Sequence, residues 1–181
     1  MSGRVVALGG PPGSGKSTAG RIVARTLDLE YVSAGALFRA EAERRGLSLE
    51  ALSRLAEADD TIDRRLDAAM LELATPGRLL DGRVSGALCR RRGIPVDYAW
   101  ITASEAVRIG RLSKRDGLDP AKCLLVTRAR EASERRRYLA YYGIDLERER
   151  PDLTVDSTTA GPEPVASAIV EFVRTRSGAP A

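Results

Sequence analysis

A chain of 181 residues is long enough for one compact domain with a real core and too short for two. Histidine is absent, which excludes Ser-His-Asp and Cys-His catalysis and histidine-ligated metals. The formal net charge of +4 comes almost wholly from arginine, because the lysines are only Lys16, Lys114 and Lys122. Arginine suits phosphate because its planar fork binds two oxygens at once, although many of these arginines also fit solvated helix faces.

Two further features bear on the location of the chain. Cys89 and Cys123 lie far apart in sequence and outside any metal-ligand spacing, so we expect reduced, structural cysteines. The N-terminus does not resemble a signal peptide, and no stretch approaches the ~18 apolar residues that a membrane span needs. We therefore expect a cytoplasmic protein with no membrane partner.

The first predicted strand, residues 4–9, leads into a glycine-rich loop that fits the pattern G-x-x-x-x-G-K-[ST] at every fixed position, and a helix over 16–27 follows. Glycines let successive amide N–H groups point at a phosphate, and the helix N-terminus adds its positive dipole. Pro11 and Pro12 have no N–H, so the donors come from residues 13–17. The predicted ATP-binding residues are Gly10, Pro11, Pro12, Gly13, Ser14, Gly15, Lys16, Ser17 and Thr18.

Two side chains of this loop are expected to act on the nucleotide itself. The ammonium of Lys16 reaches the outer phosphates, and the hydroxyl of Ser17 ligates Mg²⁺. The alternative is a chance glycine-rich turn, which the strand, loop and helix order disfavours. The loop therefore predicts a site for a nucleoside triphosphate with Mg²⁺.

A second strand over 31–33 is followed by a helical segment. The predicted helices lie at 34–45, 49–57 and 61–73, with Ser48 as an N-cap. The first of them begins beside Ser33 and carries Arg39 one turn later, an arrangement that can receive another anionic group. The alternative is that Arg39 is simply solvated.

The third predicted strand, residues 78–81, ends in Asp81 directly after an apolar pair. An open parallel sheet presents its ligands at the carboxyl ends of its strands, where a carboxylate of this kind holds Mg²⁺, usually through water. Asp81 is therefore the second predicted metal-site residue. The alternative is an aspartate that caps the next turn. Arg83 is expected to face the same crevice.

Beyond a fourth strand over 96–102, two helices at 104–114 and 120–142 form a predicted hairpin, with Ser104 and Asp119 as their N-caps. Arginines stand on both arms. Such a hairpin can close over ATP as a lid, excluding water and bringing positive charge to the transferring phosphoryl group.

On the long second arm, Arg130, Glu134 and Arg137 fall at i, i+4 and i+7 and share one face. A ladder of intrahelical ion pairs explains pairs such as Glu131 with Arg135. It does not require three consecutive arginines, so this face is a candidate for substrate contact.

A last strand over 153–156 and a helix over 164–175 complete the alternating order, with a tail over 177–181. Five strands interleaved with helices predict an α/β fold of three layers, a five-stranded parallel sheet with helices on both faces. With the glycine-rich loop after the first strand, the predicted fold class is that of the P-loop NTPases.

The ordered set of motifs resembles the nucleoside monophosphate kinases, and specifically the short, archaeal-type cytidylate kinases, over nearly the whole chain. The motifs are the P-loop, YVSAGALFR (31–39), ERRGLSLEAL (43–52), IDRRLD (62–67), LLDGR (79–83) and SERRRYLAYYGID (133–145). The resemblance implies Mg²⁺-dependent transfer of the ATP γ-phosphate to CMP or dCMP, giving CDP or dCDP. It also implies one P-loop kinase domain over 1–181, in which the parts are a core (1–33, 74–110 and 143–176), a monophosphate-binding segment (34–73), a lid with the long helix (111–142) and the tail.

The resemblance also implies roles for single residues. The acceptor phosphate is held by Arg39 and Arg83. The transferring group is stabilised by Lys16, Arg83 and the lid arginines, for which Arg111 and Arg130 are our choices. The acceptor nucleoside side is contacted by Glu134 and Arg137, with Ser33 as a candidate hydrogen-bonding partner or, alternatively, a helix cap.

Two departures from the family pattern leave the acceptor less fixed than the reaction type. Val84 stands where the larger bacterial enzymes carry an acidic residue, and the tryptophan common after the Gly-Arg pair in the short family is missing. UMP, AMP or a small-molecule acceptor therefore stays open. So does a nucleotide-gated nucleic-acid-binding protein, although aromatic residues are only 4% of the chain and offer few stacking platforms. We expect a monomer that binds ATP and CMP or dCMP, and no nucleic acid.

Overall fold

The strands of the protein form one parallel sheet in a computed structural model that describes residues 3–178. They are β1 (Val5–Gly9), β2 (Glu30–Ser33), β3 (Arg78–Asp81), β4 (Val96–Thr102) and β5 (Leu153–Asp156). Their order across the sheet is β2-β3-β1-β4-β5, and every neighbouring pair is parallel. This confirms the predicted five-stranded parallel sheet. Residues 1–2 of the predicted core and 179–181 of the predicted tail lie outside the described residues.

Seven helices connect these strands within the described chain, and an eighth follows β5. They are α1 (Lys16–Thr26), α2 (Ala34–Arg44), α3 (Leu49–Ala58), α4 (Asp60–Glu72), α5 (Ser85–Arg91), α6 (Glu105–Asp116), α7 (Pro120–Tyr142) and α8 (Pro162–Arg176). The predicted bounds differ from these by at most two residues at either end, apart from α5, which was not predicted. None of the helices in residues 3–178 is long and apolar enough to cross a membrane.

Local capping explains where several helices begin and end. Asp119 accepts hydrogen bonds from two backbone N–H groups of the first turn of α7, and Pro120 occupies the first helical position. Gly143 ends the same helix with φ 62°, a left-handed conformation that glycine adopts without strain. Ser104 occupies the N-cap position of α6, as predicted, but its side chain makes no capping hydrogen bond. Its backbone N–H donates to Thr158 Oγ1 at 2.9 Å.

Helix α5 was not predicted because it shows no polar face. It has only seven residues, and the first five are buried. Gly86 lies against the ring of Tyr98, so close that a Cβ atom there would come within 2.3 Å of it. A short helix enclosed on all sides lacks the amphipathic period by which helices are recognised in sequence.

Two hydrophobic clusters cover the two faces of the sheet. On one face α1 and α8 pack against alternate strand residues, and on the other face α5 and the end of α4 do so. The strand residues of the first face are Val6, Leu8, Leu79, Ala99 and Ile101. Those of the second face are Val5, Ala7, Val32, Leu80, Val96 and Tyr98. Burial on both faces fits the uniformly apolar strands of the sequence.

The strand order places a crevice at the carboxyl end of β1. From β1 the chain crosses over β3 to reach β2, and from β3 it crosses over β1 to reach β4. The connection that leaves β1 and the connection that leaves β3 therefore run in opposite directions across the sheet. They part at the carboxyl end of β1, and open α/β sheets hold their ligands at such a point. The glycine-rich loop leaves β1 at this point.

Candidate active site

The glycine-rich loop has a backbone course that only glycine permits at two positions. Gly10 has φ +139°, and a Cβ atom there would lie 2.1 Å from the carbonyl oxygen of Ile101. Gly13 has φ +78°, and its Cβ atom would lie 2.6 Å from the carbonyl oxygen of Arg108. The loop is thus pressed against β4 and α6, with α1 starting directly after it.

Lys16 lies across this loop at the first position of α1. Its Nζ atom donates to the carbonyl oxygens of Gly10 at 2.7 Å and Pro11 at 2.9 Å. Burial lowers the pKa of Lys16 to about 8, while the carboxylate of Asp81 acts in the opposite direction. The ammonium group is therefore held by weak carbonyl partners that a phosphate can replace.

Asp81, at the end of β3, accepts two hydrogen bonds on the same oxygen. The hydroxyl of Ser17 donates to Asp81 Oδ2 at 2.7 Å, and the hydroxyl of Tyr31 donates to the same atom. Burial, and next the Asp81 carboxylate, raise the pKa of Tyr31, so its phenol remains a donor. The two residues predicted for the metal site are in direct contact.

The pair formed by Ser17 and Asp81 fits Mg²⁺ in its chemistry. Both supply hard oxygen donors, and Mg²⁺ in nucleotide sites keeps several waters and takes its other ligands from substrate phosphates. Within residues 3–178 no group of three or more His, Cys, Asp or Glu side chains is placed to hold a metal by itself.

Three charged residues of the prediction meet beside the loop. Glu134 of α7 pairs with Arg83 Nη2 at 2.7 Å and with Arg130 Nε at 2.7 Å. Burial acts to raise the pKa of Glu134, but Arg83 and Arg130 outweigh it and hold the pKa below its ordinary value. Lys16 feels the charges of both arginines. The result is a buried carboxylate surrounded by cations.

Arg111 of α6, predicted as a lid arginine, lies against the glycine-rich loop. It donates to the side chain of Ser157 at 2.9 Å, to the carbonyl oxygen of Ser157 at 2.7 Å and, at 3.4 Å, to the carbonyl oxygen of Gly13. Ser157 in turn donates to the carbonyl oxygen of Ser14 at 2.8 Å. The neighbouring Arg108, buried, donates to the carbonyl oxygen of Pro12 at 3.0 Å.

Arg137 does not reach the Glu134 carboxylate as a direct partner. It forms a buried ion pair with Asp63 of α4, which links α7 to the predicted monophosphate-binding segment. Burial raises the pKa of Asp63, and Arg137 opposes that change. The two arginines on the predicted face of α7 therefore pair with different carboxylates. Arg130 pairs with Glu134 of the same helix, and Arg137 pairs with Asp63 of α4.

Ser33 and Arg39 stand apart from this cluster. Ser33 Oγ accepts a hydrogen bond from the backbone N–H of Ala36 at 3.3 Å, so it is the N-cap of α2, the alternative that the sequence left open. Arg39 is exposed, and it makes no ion pair with any residue of the described chain. Its guanidinium lies over the start of α2, near Gly35.

The cavity beside the glycine-rich loop is smaller than another cavity elsewhere in the described residues. A cavity of about 170 Å³ beside the loop is lined by residues that include Pro11, Arg83 and Trp100. A larger one, of about 290 Å³, lies between α1 and α8, away from every predicted site residue.

The chain is similar to known proteins over nearly its whole length. A family model described as an AAA domain matches residues 9–98. The cytidylate kinase of Aeropyrum pernix is 39% identical over 171 residues, which is 93% of this chain and 98% of that protein. The cytidylate kinase of Archaeoglobus fulgidus is 36% identical over 174 residues, 94% of this chain and 95% of that protein. The chain belongs to the cytidylate kinase family.

Solved structures of other kinases share the fold of this cytidylate kinase family member. A gluconokinase from Sinorhizobium meliloti superimposes with a TM-score of 0.62 at 16% identity, covering 98% of this chain and 95% of that one. A shikimate kinase from Aquifex aeolicus gives 0.58 at 17% identity, covering 95% and 97%. These likenesses confirm the predicted three-layer P-loop fold, and at such identities they carry the fold alone.

Four residues of the kinase site were missed from sequence. Tyr31, Asp63, Arg108 and Ser157 each contact a predicted site residue. Ser157 follows directly on β5, so the rule that polar residues after parallel strands face the crevice was sufficient to find it. Asp63 lies within the IDRRLD motif but had no partner that sequence could name.

Proposed function

We propose that the protein transfers the γ-phosphoryl group of ATP to CMP or dCMP, giving ADP and CDP or dCDP. The observation that carries the proposal is the convergence of Arg83, Arg130 and Lys16 on one small crevice beside the P-loop. Two anionic substrates must be brought together for this reaction, and their repulsion has to be offset by fixed cations. The cytidylate kinase relatives support CMP as the acceptor.

On the donor side, the N–H groups of residues 13–17 bind the ATP phosphates. Lys16 exchanges its contacts with Gly10 and Pro11 for the outer phosphate oxygens. Ser17 and Asp81 hold Mg²⁺ together with the nucleotide and water. The ion supplies charge that stabilises the phosphoryl group during transfer.

On the acceptor side, Arg83 exchanges Glu134 for the phosphate of CMP, and Arg39 joins it when α2 moves inward. In this proposal Glu134 contacts the acceptor nucleoside, and Ser33 and Arg137 join it when substrate binding releases them from their present partners. Glu134 then accepts hydrogen bonds from the substrate in place of the Arg83 pair.

Transfer itself needs no strong base. An oxygen of the CMP phosphate attacks Pγ, the bond from Pγ to the bridging oxygen breaks, and the electron pair leaves on ADP. Lys16, Arg111 and Arg130 stabilise the charge that spreads over the equatorial oxygens. Closure of the lid, residues 111–142, over the monophosphate-binding segment, residues 34–73, excludes water, which would otherwise take the phosphoryl group.

Several parts of this picture stay predictions from the sequence: a single kinase domain divided in this way, a monomer, a cytoplasmic location, and no nucleic-acid partner. They bear on where and with what the protein works. The transfer reaction does not depend on them.

The test is ADP release with ATP and Mg²⁺ against CMP, dCMP, UMP, AMP and GMP, with an acceptor-free control. Turnover with CMP and dCMP at least 100-fold above the control, and above the other monophosphates, is the expected result. Turnover with UMP or AMP instead keeps the mechanism and replaces the acceptor. Silence across the panel contradicts the proposal, and retention on heparin at physiological salt then favours the nucleic-acid-binding alternative.

A further inference from the structure

Tyr31 occupies a place in the metal site that neither the P-loop pattern nor the family motifs assign to it. Its hydroxyl donates to Asp81 Oδ2, the same oxygen that accepts from Ser17 at 2.7 Å. A carboxylate oxygen has two lone pairs, so these two donors saturate Oδ2. The other oxygen, Oδ1, accepts no side-chain hydrogen bond from the part of the chain that the structure describes.

The sheet register brings Tyr31 to this carboxylate. Tyr31 of β2 pairs with Leu79 of β3, and Asp81 follows two residues later on the same face of the sheet. A diagonal neighbour of this kind lies within reach of a long aromatic side chain. The phenol ring crosses from β2 to the carboxyl end of β3.

The ring is also held in place by α1. A Cβ atom on Gly20 would lie 3.0 Å from Tyr31 Cε2, so the absence of a side chain at Gly20 leaves room for the ring beside the helix. The guanidinium of Arg21 lies 5.2 Å from the ring centroid on the exposed side. Register, the glycine and the cation together aim the hydroxyl at Asp81.

Fixing one carboxylate oxygen fixes the plane of the whole group. With Oδ2 held by Tyr31 and Ser17, Oδ1 is the atom left to accept hydrogen bonds from magnesium-bound water. An aspartate with only the Ser17 bond can rotate about its Cβ–Cγ bond and present either oxygen. Positioning by a neighbour of this kind typically changes metal affinity 10- to 100-fold.

We propose that Tyr31 is a positioning residue for the magnesium–nucleotide complex, acting through Asp81. The inference rests on the proposed function only in that a nucleotide and Mg²⁺ bind at the P-loop; it is independent of the acceptor. The competing explanation is that Tyr31 is a core aromatic whose hydroxyl is incidental. Tyr31→Phe separates the two, because phenylalanine keeps the ring beside Gly20 and Arg21 and removes only the hydroxyl.

The test measures Mn²⁺ binding to the complex of the protein with ADP by electron paramagnetic resonance. For Tyr31→Phe we expect Mn²⁺ affinity to fall about tenfold, with ADP affinity in EDTA unchanged. In turnover assays the Mg²⁺ concentration for half-maximal rate rises, while kcat at saturating Mg²⁺ stays close to that of the unmodified protein.

Tyr98→Phe is the matched control. It makes the same chemical change at a buried hydroxyl that has no hydrogen-bond partner among the described residues, so Mn²⁺ affinity should not change. Unchanged Mn²⁺ affinity in Tyr31→Phe, with an unchanged melting temperature, would overturn the proposal.

A second comparison covers the case in which Tyr31→Phe alters the fold. In an Asp81→Asn background the metal site has lost its carboxylate, so adding Tyr31→Phe should cost no further Mn²⁺ affinity. A second, equal loss there would mean that Tyr31 acts by general packing and would reject the proposal. Because ADP and Mn²⁺ binding are read without an acceptor, a failure to phosphorylate CMP would leave this result interpretable.

Discussion

At the scale of single residues, the carboxylate of Glu134 holds the cations of the crevice together. Glu134 pairs with Arg83 and Arg130, each at 2.7 Å, and Lys16 lies within range of all three charges. Three cations at such spacing repel one another, so an anion between them stabilises the crevice before any substrate arrives. An acceptor phosphate carries the same sign and can take this place.

Lys16→Ala tests the donor side. Removing the ammonium removes charge from the transferring phosphoryl group, so kcat should fall about 10²- to 10³-fold. The melting temperature should not fall, since burial lowers the pKa of Lys16 to about 8 and the folded state holds that charge at a cost. Lys122→Ala, an exposed lysine, is the control. A near-normal rate would contradict the P-loop role.

The same lysine gives a pH dependence. In the nucleotide-free protein Lys16 loses its proton as the pH rises through about 8. ATP affinity should therefore decline between pH 7 and 9, as measured by calorimetry. Lys16→Ala should bind weakly with no such decline.

Arg83→Ala tests the acceptor side. We expect the KM for CMP to rise tenfold or more with the KM for ATP little changed, because under the proposed function the lost guanidinium binds the acceptor phosphate. Arg92→Ala, an exposed arginine at the end of the neighbouring α5, should leave both constants as they were. If only the ATP dependence changes, Arg83 acts on the donor instead.

At the scale of elements, the C-terminal half of α7 is fastened to three other helices. Arg137 pairs with Asp63 of α4, and the hydroxyl of Tyr141 donates to the carbonyl oxygen of Ala56 in α3 at 3.1 Å. Arg91 of α5 donates to the carbonyl oxygens that end α7. A movement of α3 and α4 would therefore also move α7, the helix that carries Arg130 and Glu134.

Asp67 gives the α4–α7 interface a pH dependence. Burial raises the pKa of Asp67 to about 7, with smaller effects from Tyr142 and Arg137, which lower it, and Asp63, which raises it. Below about pH 4 the carboxyl is protonated in both folded and unfolded states. Between about 4 and 7 only the folded state keeps the proton, so stability declines as the pH rises, and above about 7 the full cost of the buried charge is present.

Asp67→Asn removes that cost. Its free energy of unfolding in urea should exceed that of the unmodified protein by roughly 1–3 kcal/mol at pH 8 and by much less at pH 5. Glu171→Gln, an exposed carboxyl on α8, should differ by under about 0.5 kcal/mol at both pH values. An equal gain for Asp67→Asn at pH 5 and pH 8 would show that ionisation of this group is not the cause.

At the scale of the whole molecule, α8 packs beside α1, the helix that carries Lys16, and the two helices cover one face of the sheet. The apolar side of α8 packs into the cluster that joins α1 to β1, β3 and β4. Ile169, at the centre of this side, is completely buried. The last helix therefore contributes to stability through this cluster.

Ile169→Ala separates stability from catalysis. The cavity it leaves should lower the free energy of unfolding by about 2–5 kcal/mol, measured in urea. The KM values at 25 °C should be unchanged in the fraction that remains folded. Leu125→Ala removes a side chain that is 70% exposed and should cost under about 0.5 kcal/mol. Equal losses in the two variants would contradict the burial argument.

The sequence by itself determined the strands, their parallel arrangement and the phosphate-binding loop. Apolar runs bounded by glycine, proline and aspartate mark β3, β4 and β5 to the residue. Gly10 and Lys16 occur at a spacing that only the loop geometry explains. The strands and the loop are local features, because each depends on residues within a few positions of one another, whereas the parallel arrangement follows from the alternation of strands and helices along the whole chain.

Only the tertiary structure decided which charges meet. Arg83 and Glu134 are 51 positions apart and Asp63 and Arg137 are 74 apart, and no local pattern pairs them. The same holds for Tyr31 with Asp81, which depends on the register of β2 against β3. Helix α5 was missed for a related reason, since its burial on all sides comes from neighbours distant in sequence. The local pattern of apolar and polar residues shows which face of a helix or strand is exposed. Which charged residues pair is set by how the helices and strands pack together.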